Sequence, residues 1–383
     1  MSMDYLDRFP VELVNAEFME TISRIEEEVG GDPEFFLGTI PDHNGKSALV
    51  IDIETEENFR LFVETDLEGI RLLGEECPER KIRNFNLFDE ERVCVLVDMV
   101  DGTDLLERGL HNWCSSAVFF HPKSKPGERI LAAFIGVPGA SFGSDPSGEP
   151  AENRDLSRAA FPSVYFGVRG SRPKVFEADA STRRIAGPSD VIKIEDASVC
   201  FYGQKADRLR YISAQDVFGD QKVEAGTDGS ADGFLSEASD QAESLKTKDK
   251  EKLRVYNLAG MPMIAKLIDK RVKGASGIDA VFELQGQSPH DVVPGAFLAM
   301  EAGCTVTDLD TGEPMTREKL ERSLMEPFEE HSKLRYIIAA TPELAEEIRK
   351  KVKVRVPASE SGSKLEGDGS SPPTVTQQPL ESH

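Results

Sequence analysis

Cysteine is scarce in this 383-residue chain, and the few residues present form no pairs. Cys77, Cys94, Cys114, Cys200 and Cys304 are scattered, odd in number and without a C-x-x-C spacing. That excludes a disulfide framework and a thiolate zinc site, and it fits a reducing compartment. Long apolar runs are missing as well. Stretches such as Ile130–Val137 fall far short of the about 20 residues that span a bilayer, so no membrane partner is expected. The first residues carry Asp4 and Asp7 without an apolar stretch, so the expectation is a cytoplasmic protein without a secretory leader. Positive charge is in deficit: 45 Lys and Arg stand against 69 Asp and Glu, for a net charge of −24. A chain of that sign is repelled by phosphate backbones, which argues against a nucleic-acid polymer as partner. Its plainest consequence is solubility. Finally, there is no G-x-x-x-x-G-K-[ST], no H-E-x-x-H and no G-x-S-x-G. These absences remove the P-loop hydrolase, the common zinc protease and the serine hydrolase.

The elements that are present alternate irregularly. Residues 11–29 place Val11, Val14, Phe18, Ile22 and Ile25 at helical spacing. Residues 47–53 read as a strand, and Thr55 as the cap of a second helix in which Phe59, Phe62 and Val63 share a face. Strands are expected at 70–73, 93–100, 116–120, 130–137, 164–175 (with a turn), 197–202, 279–284, 305–308 and 336–340. Helices are expected at 257–268 despite Pro262, at 296–302, and after Thr341, whose helix ends in Arg349, Lys350 and Lys351. Composition marks 138–157 as a loop, about 219–250 as a polar insertion and 357–383 as a disordered tail. Strands in succession imply a layered α+β or α/β architecture rather than a doubly wound sheet. The domain division expected is 1–170, an α+β half, and 171–356, an α/β half.

The chemistry concentrates in carboxylates. The apolar run from Val93 ends in Asp98 and Asp101, three positions apart, followed by Gly102 and Thr103. Carboxylates at the end of a buried strand need a compensating cation, since unpaired charge out of water is expensive. Gly102 lets backbone approach a ligand closely, and Thr103, if it opens a helix, adds an anion-attracting terminus. Acidic pairs before glycine also occur in ordinary turns, but those do not need the burial. Glu75 and Glu76 follow an earlier strand, and Asp291 comes much later. Hard oxygen ligands of this kind suit Mg2+, with Mn2+ as the alternative, rather than zinc.

Leu73-Gly74-Glu75-Glu76, Asp98-Met99-Val100-Asp101-Gly102-Thr103, and Asp291 followed by Gly295 and Glu301-Ala302-Gly303 together resemble the inositol monophosphatase superfamily. Its signatures G-E-E, D-P-[IL]-D-G-T and W-D-x-x-A-G…E-A-G-G occur here in the same order, and the resemblance extends over about residues 10–356, weakest in 140–165 and 203–250. It implies a layered α-β-α-β-α sandwich of the sugar-phosphatase type and a Mg2+-dependent phosphomonoesterase acting on a small phosphorylated polyol, sugar or nucleotide. It further implies that Glu75, Asp98 and the Val100 carbonyl hold one ion, and that Asp98, Asp101 and Asp291 hold a second. Gly102 and Thr103 would bind the phosphate, the Thr103 hydroxyl and a carboxylate of the second helix would assist the attacking water, and Glu283 would contact the substrate. Relatives commonly form a homodimer.

The chain departs from the pattern at several places. Glu56 is the best-placed helix carboxylate where the family has Asp, with Asp52 and Glu54 as rivals. Met99 replaces a proline, His290 a tryptophan, and Cys304 a glycine, while Pro294 intrudes before Gly295. His290 and His111 read as hydrogen-bonding spacers. Two other readings stay open. One is a degenerate phosphatase fold acting as a binding or regulatory protein. The other is an aspartyl-phosphate haloacid-dehalogenase-type phosphatase, which needs an aspartate where this chain has Met99 and has no use for Glu75.

Overall fold

The computed structural model describes residues 9–41, 47–76, 87–139, 162–202, 254–256, 260–269, 277–325 and 333–352. Lys46, the insertion at 219–250, the tail at 357–383 and nearly all of the 138–157 loop lie outside the described residues.

Helix α1 (Val11–Gly31) buries Val14, Phe18, Ile22 and Ile25 along one stripe. A single turn, α2 (Pro33–Phe36), is capped by Asp32, whose carboxylate accepts from Phe35 N–H at 3.1 Å. The hairpin of β1 (Thr39–Pro41) and β2 (Ser47–Leu49) then feeds directly into α3 (Val50–Asp66). The strand expected over 47–53 therefore stops at Leu49, and Thr55 is not the cap. The reason is local: Asp52, at the third helical position, accepts from Leu49 N–H at 3.2 Å and starts the helix there. Thr55, inside the helix, donates back to the Ile51 carbonyl at 2.5 Å. The β-branched run Val50-Ile51 reads as strand by propensity, and context overrides it.

A seven-stranded sheet follows in chain order: β3 (Ile70–Gly74), β4 (Val93–Asp101), β5 (Cys114–Phe120), β6 (Ile130–Val137), β7 (Ser163–Val168), β8 (Lys174–Glu177) and β9 (Thr182–Arg184). Only β3 and β4 are parallel. A division at 170 falls between β7 and β8 of this one sheet. Helices α1 and α3 cover one face, with Phe18 edge-on to Phe59 at 5.5 Å and stacked on Phe134 at 5.8 Å. A one-turn helix, α4 (Thr103–Leu106), continues β4.

The second sheet has the order β11–β10–β12–β14–β13, from β10 (Ser198–Tyr202), β11 (Arg254–Tyr256), β12 (Ala280–Gln287), β13 (Thr305–Asp308) and β14 (Leu334–Ala339). Between the sheets lie α5 (Met261–Ile268) and α6 (Pro289–Ala302), and α6 touches strands of both. Buried nearly all round, α6 is built from Val, Ala, Gly, Phe and Leu, as a helix with core on every side must be. At Gly295 an added Cβ would come 2.7 Å from Ile264 Cδ1, so glycine sets how closely α5 and α6 approach.

Helix α6 begins at Pro289, earlier than the expected 296–302, because Asp291 accepts from Ser288 N–H at 3.1 Å and Pro289 suits a first turn. Pro262 sits in the first turn of α5 for the same reason. Helix α7 (Arg317–Met325) was not legible in the sequence. It carries buried Glu321, which accepts from the N–H groups of Gly127, Arg129 and Ile130 and so ties the turn before β6 to this helix. Helix α8 (Pro342–Lys351) covers the outer face of the second sheet, capped as expected by Thr341. The layers run helix, sheet, helix, sheet, helix. This is the α-β-α-β-α sandwich expected from the sequence.

Candidate active site

The site forms where β3, β4 and α6 end together. In a regular strand, residues three apart point to opposite faces. Asp98 pairs with Ser116 and Asp101 with Cys114, so three steps on β4 match two on β5. That extra residue is a β-bulge, and it returns Asp98 and Asp101 to the same side. Within it, Val100 N–H donates to Asp98 Oδ1 at 3.1 Å, and Ser115 Oγ donates to the Met99 carbonyl at 2.7 Å. Gly102, at φ +94°, turns the chain into α4, where an added Cβ would stand 3.2 Å from the Asn112 carbonyl oxygen.

Two partners arrive from elsewhere. The parallel register sets Gly74 opposite Val97, which brings Glu75 alongside Asp98. The first turn of α6 brings Asp291. Carboxylate oxygens of Asp98, Asp101 and Asp291 all lie within 4.8 Å of one another, and so do ligand atoms of Glu75, Asp98 and His290. Asp98 belongs to both groups.

Of these, Glu75 and Asp98 open onto a cavity of about 350 Å³ whose lining also includes Asp52, Glu56, Val100 and Thr103, whereas Asp101, Asp291 and His290 are not among its lining residues. None of the described residues lining it is Lys or Arg. Of the three helix carboxylates left open by the sequence, Asp52 and Glu56 face this cavity, one helical turn apart. Glu54 instead sits at a shallow hollow on the outer side of α3. Glu56 Oε2 accepts from Glu76 N–H at 2.9 Å. Glu283 is wholly buried in β12, with Oε1 accepting from Gly286 N–H at 3.2 Å, and does not line the cavity. His111 is exposed.

The glycine of Gly74-Glu75-Glu76 has a reason that only the tertiary structure reveals. A Cβ on Gly74 would stand 1.9 Å from Glu56 Oε1, so the Glu56 carboxylate lies directly against the Gly74 backbone. Gly74→Ala is expected to push Glu56 out of place while the strand survives. If Glu56 serves the reaction, phosphate-ester turnover should fall about as far as in Glu56→Gln, roughly 10²-fold for one general acid–base group. Parallel kinetics of the two variants, with melting curves, would check this.

Electrostatics mark the site as short of positive charge. Burial, then repulsion from Glu75 and Asp101, holds the Asp98 carboxyl well above the usual carboxylate range. Burial and the neighbouring Asp291 and Glu75 push Asp101 up to about 7. Burial pushes Asp52 up to about 8, with Glu75, Glu76 and Glu107 adding to it. Asp52 Oδ1 is buried with no hydrogen-bond partner among the described residues. Cys114 Sγ stands 3.7 Å from Asp101 Oδ2, where its S–H donates to the carboxylate.

His290, a spacer on the sequence reading, is drawn into the carboxylates: Nε2 lies 3.0 Å from Asp291 Oδ1 and 3.5 Å from Glu75 Oε1. Its place next to Asp291 was the only signal in the sequence. Four residues on, Pro294 has no N–H to give the His290 carbonyl, which loosens the turn carrying both residues.

No protein-family model and no curated protein sequence matches the chain. Solved structures do. An IMPase/NADP phosphatase complexed with NADP and Ca2+ at pH 7.0 superposes with a TM-score of 0.54 at 14% identity, covering 93% of this chain and 98% of that one. A staphylococcal IMPase-I complexed with products gives 0.52 at 13% identity, covering 93% and 97%. A staphylococcal inositol monophosphatase-1 in a LiCl-soaked inhibitory complex gives 0.52 at 13% identity, covering 93% and 98%. Each of these matches covers more than nine tenths of both chains, and the chain therefore has the inositol monophosphatase fold.

Proposed function

We propose that this chain is a Mg2+-dependent phosphomonoesterase of inositol monophosphatase type, with Mn2+ as an alternative ion, acting on a small phosphorylated polyol, sugar or nucleotide. The observation that carries the reading is Asp98, a buried carboxylate shared by two ligand groups in a cavity that no Lys or Arg lines among the described residues. The donor set fits hard divalent cations. Its oxygens are carboxylates and one carbonyl, their mutual repulsion calls for positive charge, and Asp52 Oδ1 is buried without a partner among the described residues. Glu75, Asp98 and the Val100 carbonyl would hold one ion, and Asp98, Asp101 and Asp291 another. Bound there, such ions neutralise a phosphate ester and acidify water for attack on phosphorus.

The chain's own groups do the rest. The first-turn N–H groups at Gly102 and Thr103 have no acceptor one turn back and suit a phosphate oxygen. The Thr103 hydroxyl and the Glu56 carboxylate line one cavity, the pairing needed to orient water and take its proton. A volume of about 350 Å³ suits a small ester rather than a polymer. The matched structures support the substrate class, since one is described with NADP and Ca2+ and another with products.

A panel of small phosphate esters, assayed with Mg2+, with Mn2+ and with chelator, tests the proposal. Phosphate release from at least one ester is expected with an ion and not with chelator. No release from any ester would reject the enzyme, and retained metal binding in that case would favour a binding protein on the same fold.

A further inference from the structure

We propose that His290 is itself a metal ligand, so that half of this centre is a mixed nitrogen–oxygen site favouring Mn2+ over Mg2+. The inference rests on the reading of the cavity as a divalent-cation site and adds a ligand that reading does not contain.

Ligand atoms on one ion, each at about 2.1 Å, stand about 3 to 4.2 Å from one another. Within the Glu75, Asp98 and His290 group the separations are all inside 4.8 Å, and Nε2 of His290 is 3.5 Å from Glu75 Oε1. The imidazole is held there rather than swinging in solvent, since His290 is only 7% exposed and sits in the first turn of the buried helix α6. Nε2 points at carboxylate oxygens on both sides, toward Asp291 at 3.0 Å and toward Glu75. A ring nitrogen in that position has two uses. Protonated, it pairs with carboxylates as a cation; neutral, it donates its lone pair to an ion that those carboxylates also bind.

The second use is the one the surroundings favour. One imidazolium cannot balance Glu75, Asp98, Asp101 and Asp291 together, whereas divalent ions shared through Asp98 can. Imidazole suits Mn2+ and the later transition ions, while Mg2+ prefers oxygen and retains water. The nitrogen therefore moves selectivity, not merely affinity.

The test uses the full chain, stripped with chelator and titrated with Mn2+ alone. Loss of the free-ion electron paramagnetic resonance signal reports binding. Pulsed measurements on the bound ion report whether nitrogen is coordinated. Wild type is expected to bind Mn2+ with a 14N coupling typical of imidazole. That coupling is expected to vanish in His290→Gln, and the Mn2+ over Mg2+ preference, measured by competition, to fall at least about tenfold, as loss of a group supporting a metal does. Bound Mn2+ with a nitrogen-free spectrum in wild type would overturn this inference and leave the phosphatase reading intact. So would an unchanged ion preference in His290→Gln. No Mn2+ binding by wild type would overturn both. The wild-type spectrum decides ligation by itself, even where the variant fails to fold.

Discussion

Asp98→Asn is expected to abolish ion-dependent phosphate release while raising the melting temperature of the metal-free protein. The two effects have one cause. Asp98 lies almost wholly buried beside Glu75 and Asp101, so its charge is disfavoured in the empty site and required in the loaded one. An amide removes the repulsion and keeps the acceptor oxygen that Val100 N–H uses at 3.1 Å, so the bulge and the sheet should persist. With ion present, the loss falls on both ligand groups at once, because Asp98 belongs to each. Removing one preorganised electrostatic group from an active site costs about 10²–10³ in rate, and a shared ligand should reach the upper end of that range or beyond. Phosphate-release kinetics at high Mg2+, paired with melting curves in chelator, would check both signs. Activity within tenfold of wild type would remove Asp98 from the reaction.

Divalent ions are expected to stabilise the protein more at pH 8 than at pH 6. Asp101 and Asp52 are raised from the ordinary 3.8 to about 7 and about 8, and Asp98 is raised as well. Between those limits the folded, ion-free chain holds protons that the unfolded chain has released. Stability from these groups is therefore complete below about pH 4 and is lost as pH rises through 7 to 8. An ion must displace the same protons to bind, so its affinity climbs over the same window. At an ion concentration of about 100 times the dissociation constant, one site adds about 2.7 kcal/mol. In a chain of this size that corresponds to a shift of about 3 °C. Melting temperatures with chelator and with excess Mg2+ or Mn2+ at pH 6, 7 and 8 would test this. The ion-free value should fall toward pH 8, the ion-loaded value should not, and Asp52→Asn should flatten the ion-free decline. Equal shifts at all three values would contradict the carboxylate assignment.

Element types were largely legible in the sequence wherever burial acts through local periodicity. The amphipathic stripe of α1, the apolar run of β4 and the capped, cation-ended α8 each follow from residues a few positions apart. The order of carboxylates along the chain was legible too, and with Gly102-Thr103 it pointed to cation and phosphate chemistry. The readings that slipped were those in which a local preference competed with context. Val50-Ile51 became helix once Asp52 bound the Leu49 N–H, α6 began about two turns before its small-residue stretch, and α7 hides its apolar face among charges.

What only the tertiary structure decided is how those carboxylates meet. A spacing of three puts Asp98 and Asp101 on opposite faces of an ideal strand, and the bulge against β5 reverses that, a matter of register between strands that the residues of β4 alone do not express. Glu56 was one of three candidates until the helix phase set it and Asp52 at the cavity and Glu54 outside. Gly74 was only one letter of a motif until Glu56 was found against its backbone, and His290 read as a spacer until α6 carried it between Glu75 and Asp291. The sequence by itself determined which chemical groups the site would contain, because residue identity sets that. The fold determined which of them touch, because contacts between residues tens to hundreds of positions apart depend on sheet register and helix phase.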